Sequence, residues 1–249
     1  MSETPPLPAA WLAVDLGDAA ANLALDEALL EAAHAGTLRE PIVRTWMAVQ
    51  PTVVLGSSSR IDDEVDREAC AEAGARLLRR PSGGLSVLLG PGCLMWSVIT
   101  PHPGGVPPID AVHAAMLEPL AAGLRAAGRP VERRGTSDLA LVDSDGDRKV
   151  SGNALRVRRN AVLYHGTLLD SFDLHAVARL LRHPPREPGY RTGRPHAAFL
   201  ANLQLGRAVL EGIVRDAFEA VAAAADWPRE RAMALVAERY GRDDWTQRL

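Results

Sequence analysis

The sequence predicts an α+β fold, in which helices pack on a mixed, largely antiparallel sheet. Two observations carry this prediction. Helical patterns of apolar residues separate clusters of short β segments, and turn residues join those segments at hairpin spacing. The chain has 249 residues, of which 47% are hydrophobic and 24% charged, so it is long enough for one domain with a sizeable core.

The predicted chain organisation is simple. Residues 1–10 are rich in proline and are expected to form a flexible tail without the features of a signal peptide. Residues 11–249 contain no internal repeat and no low-complexity linker, which predicts a single catalytic domain. Within it, residues 205–249 are expected to form a C-terminal helical extension, and we expect no large accessory domain.

Helical periodicity is clearest near the N terminus. Apolar residues recur at helical spacing over residues 19–35, Asp18 suits the N-cap, and Gly36 suits the C-terminal stop. The same reasoning predicts further helices at residues 64–74, 109–127, 173–181, 205–225 and 229–240.

Short apolar runs bounded by turn residues mark the strands. Two of these runs, residues 85–89 and 93–100, flank Gly90-Pro91-Gly92 and predict an antiparallel hairpin. Three more predict an antiparallel meander, at residues 139–142, 149–158 and 162–168. The remaining predicted strands are residues 42–46, 52–55 and 76–80.

Charge and cysteine content argue against several classes of function. The formal net charge of -3 disfavours bulk attraction to nucleic acid or to a membrane surface, and no apolar run approaches the roughly 20 residues of a membrane span. Cys70 and Cys93 fit no pairing pattern, which favours reduced thiols in a cytoplasmic protein. Residues 143–147 resemble a calcium loop only superficially, since no glutamate closes it.

Lys149 begins a strand that is otherwise small and apolar. Alternation places Lys149, Ser151 and Asn153 on one face of that strand and Gly152 on the other. A lysine on a central strand requires an anion, because burying an unpaired charge is costly. A solvated edge strand explains the same pattern, and the sequence leaves both interpretations open.

A basic pair followed by a bare turn forms the second motif. Ser82-Gly83-Gly84 offers backbone N–H groups that no side chain blocks, and Arg79 and Arg80 alternate sides before it. The turn lacks the GK[ST] of a P-loop and the GxGxxG of a dinucleotide fold. The Ser82-Gly83-Gly84 segment is consistent both with an anion-binding site and with an ordinary turn. His165, before Gly166 in the next predicted strand, fits either a catalytic or a structural hydrogen-bonding role.

The order of these motifs resembles the lipoate–protein ligase A family, within the wider group of biotin and lipoate protein ligases and octanoyltransferases. The similarity extends over about residues 16–203. The residues that carry it are 22–27, Trp46, 51–56, 79–84, 137–138, 146–152 and 165–169.

The resemblance implies a catalytic domain like that of class II aminoacyl-tRNA synthetases and biotin synthetases, and a two-step reaction. ATP activates lipoate or octanoate to an acyl-adenylate, and the acyl group then passes to a lysine of a carrier domain. Lys149 is the implied catalytic residue, and Asp138 would lie near the nucleotide and bind Mg²⁺. The residues implied to bind substrate and nucleotide are Arg79, Ser82, Gly83, Gly84, Asp138, Lys149, Gly152, Asn153, His165, Gly166 and Thr167.

The chain departs from the family pattern at several positions. Leu85 stands where the family has a third glycine, and Leu89-Gly90 stand where a His-Asp pair is expected. One branch of related octanoyltransferases and amidotransferases has a cysteine nucleophile close to the position of Ser137. Since no cysteine lies there, acyl-thioester chemistry is disfavoured.

The implied partners are an apo lipoyl domain or a carrier like the H protein of glycine cleavage, and a separate accessory subunit could assist. The loop over residues 184–195 is either a cover for the adenylate or an ordinary surface loop. Two other functions stay open, an ATP-independent acyltransferase and a non-catalytic acyl or adenylate binder.

Overall fold

Two β-sheets of different size form the framework in the computed structural model, which describes residues 8–224 and 226–249. The larger sheet contains β1 (Ala10–Trp11), β2 (Ile42–Met47), β6 (Cys93–Pro101), β7 (Val131–Arg134), β8 (Asp138–Leu141), β9 (Arg148–Arg158), β10 (Ala161–Leu169) and β11 (Ala222–Ala223). The smaller sheet contains β3 (Thr52–Leu55), β4 (Arg76–Arg79) and β5 (Val87–Leu89). The strand orders are β11-β1-β2-β6-β10-β9-β8-β7 and β4-β3-β5. All neighbours from β2 to β7 are antiparallel, which confirms the predicted mixed, largely antiparallel sheet.

The helices lie between these strands along the chain. They are α1 (Ala19–Ala35), α2 (Ile61–Glu64), α3 (Arg67–Glu72), α4 (Ile109–Ala126), α5 (Leu174–Leu180), α6 (His196–Phe199), α7 (Arg207–Ala217), α8 (Arg229–Leu235) and α9 (Asp243–Thr246). A π-helical turn, Val236–Tyr240, continues α8. No helix among the described residues is long and apolar enough to cross a membrane.

Hydrophobic side chains cover both faces of the larger sheet. Leu163 on β10 belongs to a cluster with α1 and the smaller sheet, whereas its neighbour Tyr164 belongs to a cluster with α4 and α7. Both residues are fully buried. Strands covered on both sides read as continuous apolar runs, and this is why β6 and β10 were recognisable in the sequence.

Local signals placed several elements correctly. Helix α1 has the predicted bounds, the Asp18 side chain accepts a hydrogen bond from the backbone N–H of Ala21 at 2.9 Å, and Gly36 adopts φ = 80°. The predicted meander is present as β8, β9 and β10. Asp173 caps α5 as expected.

The predicted hairpin around Gly90-Pro91-Gly92 is wrong. Strand β5 pairs with β3 in the smaller sheet, whereas β6 pairs with β2 and β10 in the larger one. The turn carries the chain from one sheet to the other because it packs on a distant segment. Gly92 has φ = 84°, its carbonyl accepts a hydrogen bond from the Asp170 N–H at 2.9 Å, and a Cβ there would lie 2.5 Å from the carbonyl oxygen of Ser171.

Other boundaries also differ from prediction. Residues 64–74 form the end of α2 and then α3, and Val65 between them forms a β-bridge with Leu181. The helix predicted over 205–225 begins at Arg207 and ends at Ala217, before β11 at the edge of the larger sheet. Residue 225 lies outside the described residues, so that part of the prediction is untested.

Both ends of the described part of the chain, which begins at residue 8, pack on the domain. Of the predicted tail, residues 1–7 lie outside the described residues, but Ala10 is buried and pairs with β2 and β11. At the other end, α8 lies against α1, and the Tyr240 hydroxyl donates to the buried carboxylate of Glu27 at 2.7 Å. The region predicted as an extension therefore completes the core.

Candidate active site

Lys149 and Asp138 form an ion pair on two adjacent central strands. Lys149 lies near the start of β9, and its Nζ is 2.8 Å from Oδ1 of Asp138, the first residue of β8. The Tyr190 hydroxyl donates to the other carboxylate oxygen, Oδ2, at 3.0 Å. Strand β9 lies between β8 and β10, so Lys149 is on a central strand of the sheet. The interpretation of this segment as a solvated edge strand is therefore wrong.

A β-bulge changes which side chains accompany Lys149. Leu139 pairs with Ser151 and Ala140 pairs with Lys149, so Val150 has no partner in the register. The extra residue shifts the alternation, and Gly152 rather than Ser151 joins Lys149 on the cavity wall. A Cβ at Gly152 would lie 2.9 Å from Lys149 Nζ, so glycine leaves the space that the lysine side chain occupies.

Lys149 and Asp138 line a cavity of about 410 Å³ between the large sheet and the glycine turn. Most of the predicted site residues meet there, namely Gly84, Asp138, Lys149, Gly152, Asn153, His165, Gly166 and Thr167. Asn153 and Gly166 face each other on β9 and β10, and a Cβ at Gly166 would lie 1.7 Å from Oδ1 of Asn153. The glycine therefore leaves room for the asparagine amide, whose Nδ2 donates to the carbonyl oxygen of Ser137 at 2.7 Å.

A second cavity, of about 150 Å³ and mostly apolar, adjoins the first. Phe172, Val177 and Phe199 contribute to its far wall. The residues that line both cavities are Leu85, Ser86, Val87, Lys149, Gly152, Thr167, Arg186 and Pro188. Lys149 thus stands at the junction of two compartments.

Arg79 does not bind at the cavity, and the prediction that it does is wrong. Its side chain is fully buried and donates to the carbonyl oxygens of Gly56, Ser59 and Thr246 at 2.7–2.9 Å. It fastens the C-terminal segment to the loop after β3. Arg80, the other member of the pair, directly follows β4 and lines the cavity.

The guanidinium of Arg80 forms its hydrogen bonds with other groups of the protein. It donates to Ser82 Oγ and to the carbonyl oxygens of Val54, Gly83 and Leu85, at 2.6–3.0 Å. Burial lowers its pKa to about 10, which leaves it charged at neutral pH. Arg80 therefore holds the glycine turn in place. Gly83 contributes to the site indirectly, because its carbonyl oxygen accepts one of the hydrogen bonds that fix the turn.

Ser82 and His165 form a buried pair behind the cavity wall. Ser82 Oγ lies 2.6 Å from His165 Nε2. Arg80 Nε already donates to Ser82 Oγ, so we assign the hydroxyl proton to the bond with Nε2 and the imidazole proton to Nδ1. Burial, with a smaller contribution from Arg80, lowers the pKa of His165 to about 3. His165 thus meets the cavity as a neutral group.

A buried ion pair lies beneath His165, and sequence reasoning missed it. Arg44 donates to Oδ1 of Asp26 at 2.6 Å, and Asp26 Oδ2 lies 4.0 Å from His165 Nδ1. Both charged side chains are almost completely buried. Asp26 belongs to the motif at residues 22–27, and a carboxylate on the apolar face of α1 was the signal that could have revealed the pair.

The loop after α5 reaches the cavity. Arg186, Glu187 and Pro188 line its wall, and Tyr190 anchors the loop to Asp138. The loop therefore forms part of the cavity wall, and its role as a cover for an adenylate stays a prediction. No sequence pattern indicated that the apolar residues Leu23, Val54 and Met95 line the same cavity.

Neither cysteine belongs to the site. Cys70 and Cys93 are buried, and neither lines either cavity. Burial raises the pKa of Cys93 to about 12, which opposes formation of a thiolate nucleophile.

The described part of the chain holds no group of three metal-ligating side chains. Asp138 and Glu187 are the carboxylates on the wall of the larger cavity, and Lys149 and Arg186 are cations that face the same space. This mixture of cations and carboxylates fits a phosphate-bearing ligand, and Asp138 and Glu187 are the carboxylates that would hold a metal ion bound with it.

Comparison with known proteins places these features in a family. Residues 18–211 match the model of the lipoyl protein ligase A/B catalytic domain. The octanoyltransferase LipM of Moorella thermoacetica is 31% identical over 83% of this chain and 82% of its own, and that of Kyrpidia tusciae is 30% identical over 93% and 96%.

Solved structures show the same fold. A bipartite lipoate protein ligase from Thermoplasma acidophilum, described with its E2 lipoyl domain, superimposes with a TM-score of 0.82 and 21% identity over 96% of both chains. A lipoate-protein ligase A bound with ATP gives a TM-score of 0.77 and 22% identity over 97% of this chain and 99% of that one. The fold is therefore that of the lipoate–protein ligases, and the match to the family model shows that the chain belongs to the lipoyl protein ligase A/B catalytic-domain family.

Proposed function

We propose that this enzyme activates lipoate or octanoate with ATP and transfers the acyl group to a lysine of an apo lipoyl carrier domain. The observation that carries the proposal is the position of Lys149 at the junction of two cavities, the larger of which is also lined by Arg80 and Arg186. A carboxylate in one compartment and a nucleotide in the other would bring their reacting groups together at that ammonium.

In the first step, a carboxylate oxygen of the acid attacks the α-phosphorus of ATP, and pyrophosphate leaves. In the second step, the amine of the carrier lysine attacks the acyl carbon, an amide bond forms, and AMP leaves with the electron pair of the broken C–O bond. Negative charge grows on the phosphate oxygens in the first step and on the acyl carbonyl oxygen in the second. Lys149 lies where it can stabilise that charge in a partly water-excluded site, and Asp138 holds the ammonium in place beforehand.

Bound Mg²⁺ would neutralise phosphate charge, and Asp138 is the carboxylate that would hold it. Both of its oxygens are engaged, one by Lys149 and one by Tyr190. If Lys149 turned toward the phosphate of a bound nucleotide, the carboxylate of Asp138 would be open to that cation.

An ATP-independent acyltransferase is the second candidate, since the curated relatives carry the name octanoyltransferase. The resemblance in sequence associates that chemistry with a cysteine nucleophile near Ser137. Here Ser137 lines the larger cavity, and both cysteines are buried away from it. The absence of a thiol on the described cavity walls favours acid activation by ATP.

The acceptor we propose is a lipoyl domain or a similar small carrier, such as the H protein of glycine cleavage. Support comes from family membership and from the Thermoplasma ligase, which was described together with its E2 lipoyl domain. That ligase is bipartite, which supports testing this chain with a separate accessory subunit as well. The reaction as proposed takes place in the cytoplasm.

The experiment incubates purified protein with apo lipoyl domain, Mg²⁺ and either lipoate plus ATP or octanoyl-acyl-carrier protein without ATP. Mass spectrometry of the domain should show acylation only in the first reaction. Acylation only from the carrier donor would establish the second candidate instead. No acylation in either reaction, with an accessory subunit added, would contradict both.

A further inference from the structure

We propose that Leu85 restricts this site to carboxylic acids that are unbranched next to the carboxyl group. The inference deepens the proposed function and rests on its claim that the carboxylate of an acid reaches Lys149, where the two cavities meet. It concerns a residue that stands where a third glycine was expected after Gly83-Gly84.

Leu85 lies at the point where the two cavities meet. It lines both of them, as do Lys149 and Gly152 on the opposite strand. An acid whose carboxylate reaches Lys149 must therefore place its first carbon atoms beside residue 85. A leucine adds four side-chain carbons to that wall, where a glycine adds none.

Hydrogen bonds fix the backbone on both sides of Leu85. Arg80 donates to the carbonyl oxygens of Gly83 and Leu85 at 2.6 and 2.9 Å. On the other side, the buried carboxylate of Glu64 accepts from the N–H and hydroxyl of Ser86 at 2.6 and 2.7 Å. We call these contacts the Arg80–Glu64 bracket.

The bracket is itself anchored to the smaller sheet. Ser59 Oγ donates to Glu64 Oε2 at 3.1 Å and lies 3.3 Å from the carbonyl oxygen of Gly84. A Cβ at Gly56 would lie only 1.9 Å from that same carbonyl oxygen, so the two segments are in direct backbone contact. The wall that carries Leu85 therefore has no space to retreat.

A fixed wall distinguishes straight from branched acids. A linear chain would leave the carboxylate between Leu85 and Lys149, whereas a methyl group on the first carbon would need additional space on the wall that Leu85 occupies. One misplaced methyl group in a hydrophobic pocket changes specificity by about 10- to 200-fold. We expect the wild-type enzyme to prefer octanoate over either enantiomer of 2-methyloctanoate by at least about tenfold.

The test measures two quantities for each acid, the Kd of the free acid by calorimetry and the rate of pyrophosphate release with ATP. Leu85→Ala should reduce the preference for octanoate to within about threefold, because it removes the side chain and keeps the bracket. Leu85→Met, which conserves volume, should retain the wild-type preference. Val177→Ala, which enlarges only the smaller cavity, should also retain it.

Equal affinity of the wild-type enzyme for both acids would overturn the inference, and so would an unchanged preference in Leu85→Ala. If Leu85→Ala fails to fold, the two acids can be compared in Leu85→Val instead, since a valine side chain has one carbon fewer than a leucine side chain. A strong preference in binding without pyrophosphate release would support the role of Leu85 while contradicting ATP-dependent activation. Failure of both acids to bind would overturn both proposals.

Discussion

The two walls of the larger cavity each contain a cation, but the two cations differ in burial and in their hydrogen-bond partners. On the glycine-turn side, the guanidinium of Arg80 is buried and all its described bonds go to the protein's own backbone and to Ser82. On the side of the larger sheet, the Lys149 side chain is 26% exposed and has a carboxylate as its partner. The first cation is committed to structure, and the second is available to a ligand.

This contrast shows why charge type alone does not identify a catalytic residue. A guanidinium presents five donors in a fixed fork and can satisfy several carbonyl groups at once, which suits it to hold a turn. A lysine ammonium is a compact charge on a flexible stem and can change partners easily. The following predictions test this division, beginning with the largest expected effect.

Removal of Arg80 should cost the most stability. Arg80→Met should lower the free energy of unfolding by about 3 kcal/mol, because several buried acceptors lose their donor together. Chemical denaturation measures this change. Arg76→Met is the matched control, since Arg76 is 34% exposed and pairs with the half-exposed Asp18, and it should cost less than about 1 kcal/mol. Similar losses in the two variants would mean that Arg80 is not a structural anchor.

Removal of Lys149 should affect activity without loss of the fold. We expect Lys149→Ala to reduce the rate of acyl-adenylate formation by about 10²- to 10³-fold, as observed when one donor to a developing oxyanion is lost. Its melting temperature should stay close to that of the wild-type protein. The neighbouring Arg148, which is 45% exposed and pairs with Asp143, provides the control, and Arg148→Ala should keep near-normal activity. Near-normal turnover in Lys149→Ala would remove the residue from the mechanism.

The low pKa of His165, about 3 in the folded protein, predicts a loss of stability in acid. The unfolded chain binds a proton near pH 6.5 and the folded chain does not, so stability falls as the pH decreases below 6.5 toward 3. The expected slope from this residue approaches about 1.4 kcal/mol per pH unit. Denaturation at pH 6.5 and 4.5 should show a smaller difference for His165→Gln than for the wild-type protein. Equal differences would show that His165 is protonated in the folded protein.

Tyr190 should have the smallest effect. Burial and the proximity of Asp138 raise the pKa of its phenol, so the hydroxyl stays protonated and donates to Oδ2 of that carboxylate. Tyr190→Phe removes one hydrogen bond, while the Lys149 ion pair remains. We expect a reduction in kcat/KM of about threefold to tenfold, which corresponds to about 1 kcal/mol. A reduction as large as that of Lys149→Ala would place Tyr190 among the essential residues.

Much of the site was predictable because it uses local patterns. Lys149, Gly152, His165 and Gly166 lie on two consecutive strands, and a short turn joins the strands. Antiparallel neighbours connected by a short turn pair with each other almost inevitably. Once the meander was identified, these residues were bound to lie on adjacent strands.

Other features depend on contacts that no local pattern specifies. The bulge at Val150 decides that Gly152 rather than Ser151 faces the cavity, and one extra residue shifts every following side chain. The choice between Arg79 and Arg80 required the position of the C-terminal segment, since the carbonyl of Thr246 accepts from Arg79.

The sequence by itself determined the α+β class, the capped first helix, the central meander and the motifs of the family. These follow from periodicity and turn chemistry over short stretches of chain. Only the tertiary structure decided that the Gly90-Pro91-Gly92 turn changes sheets, and that Leu85 stands at the junction of two cavities. The reason is that both outcomes depend on backbone contacts between distant segments, such as Gly92 with Ser171 and Gly56 with Gly84.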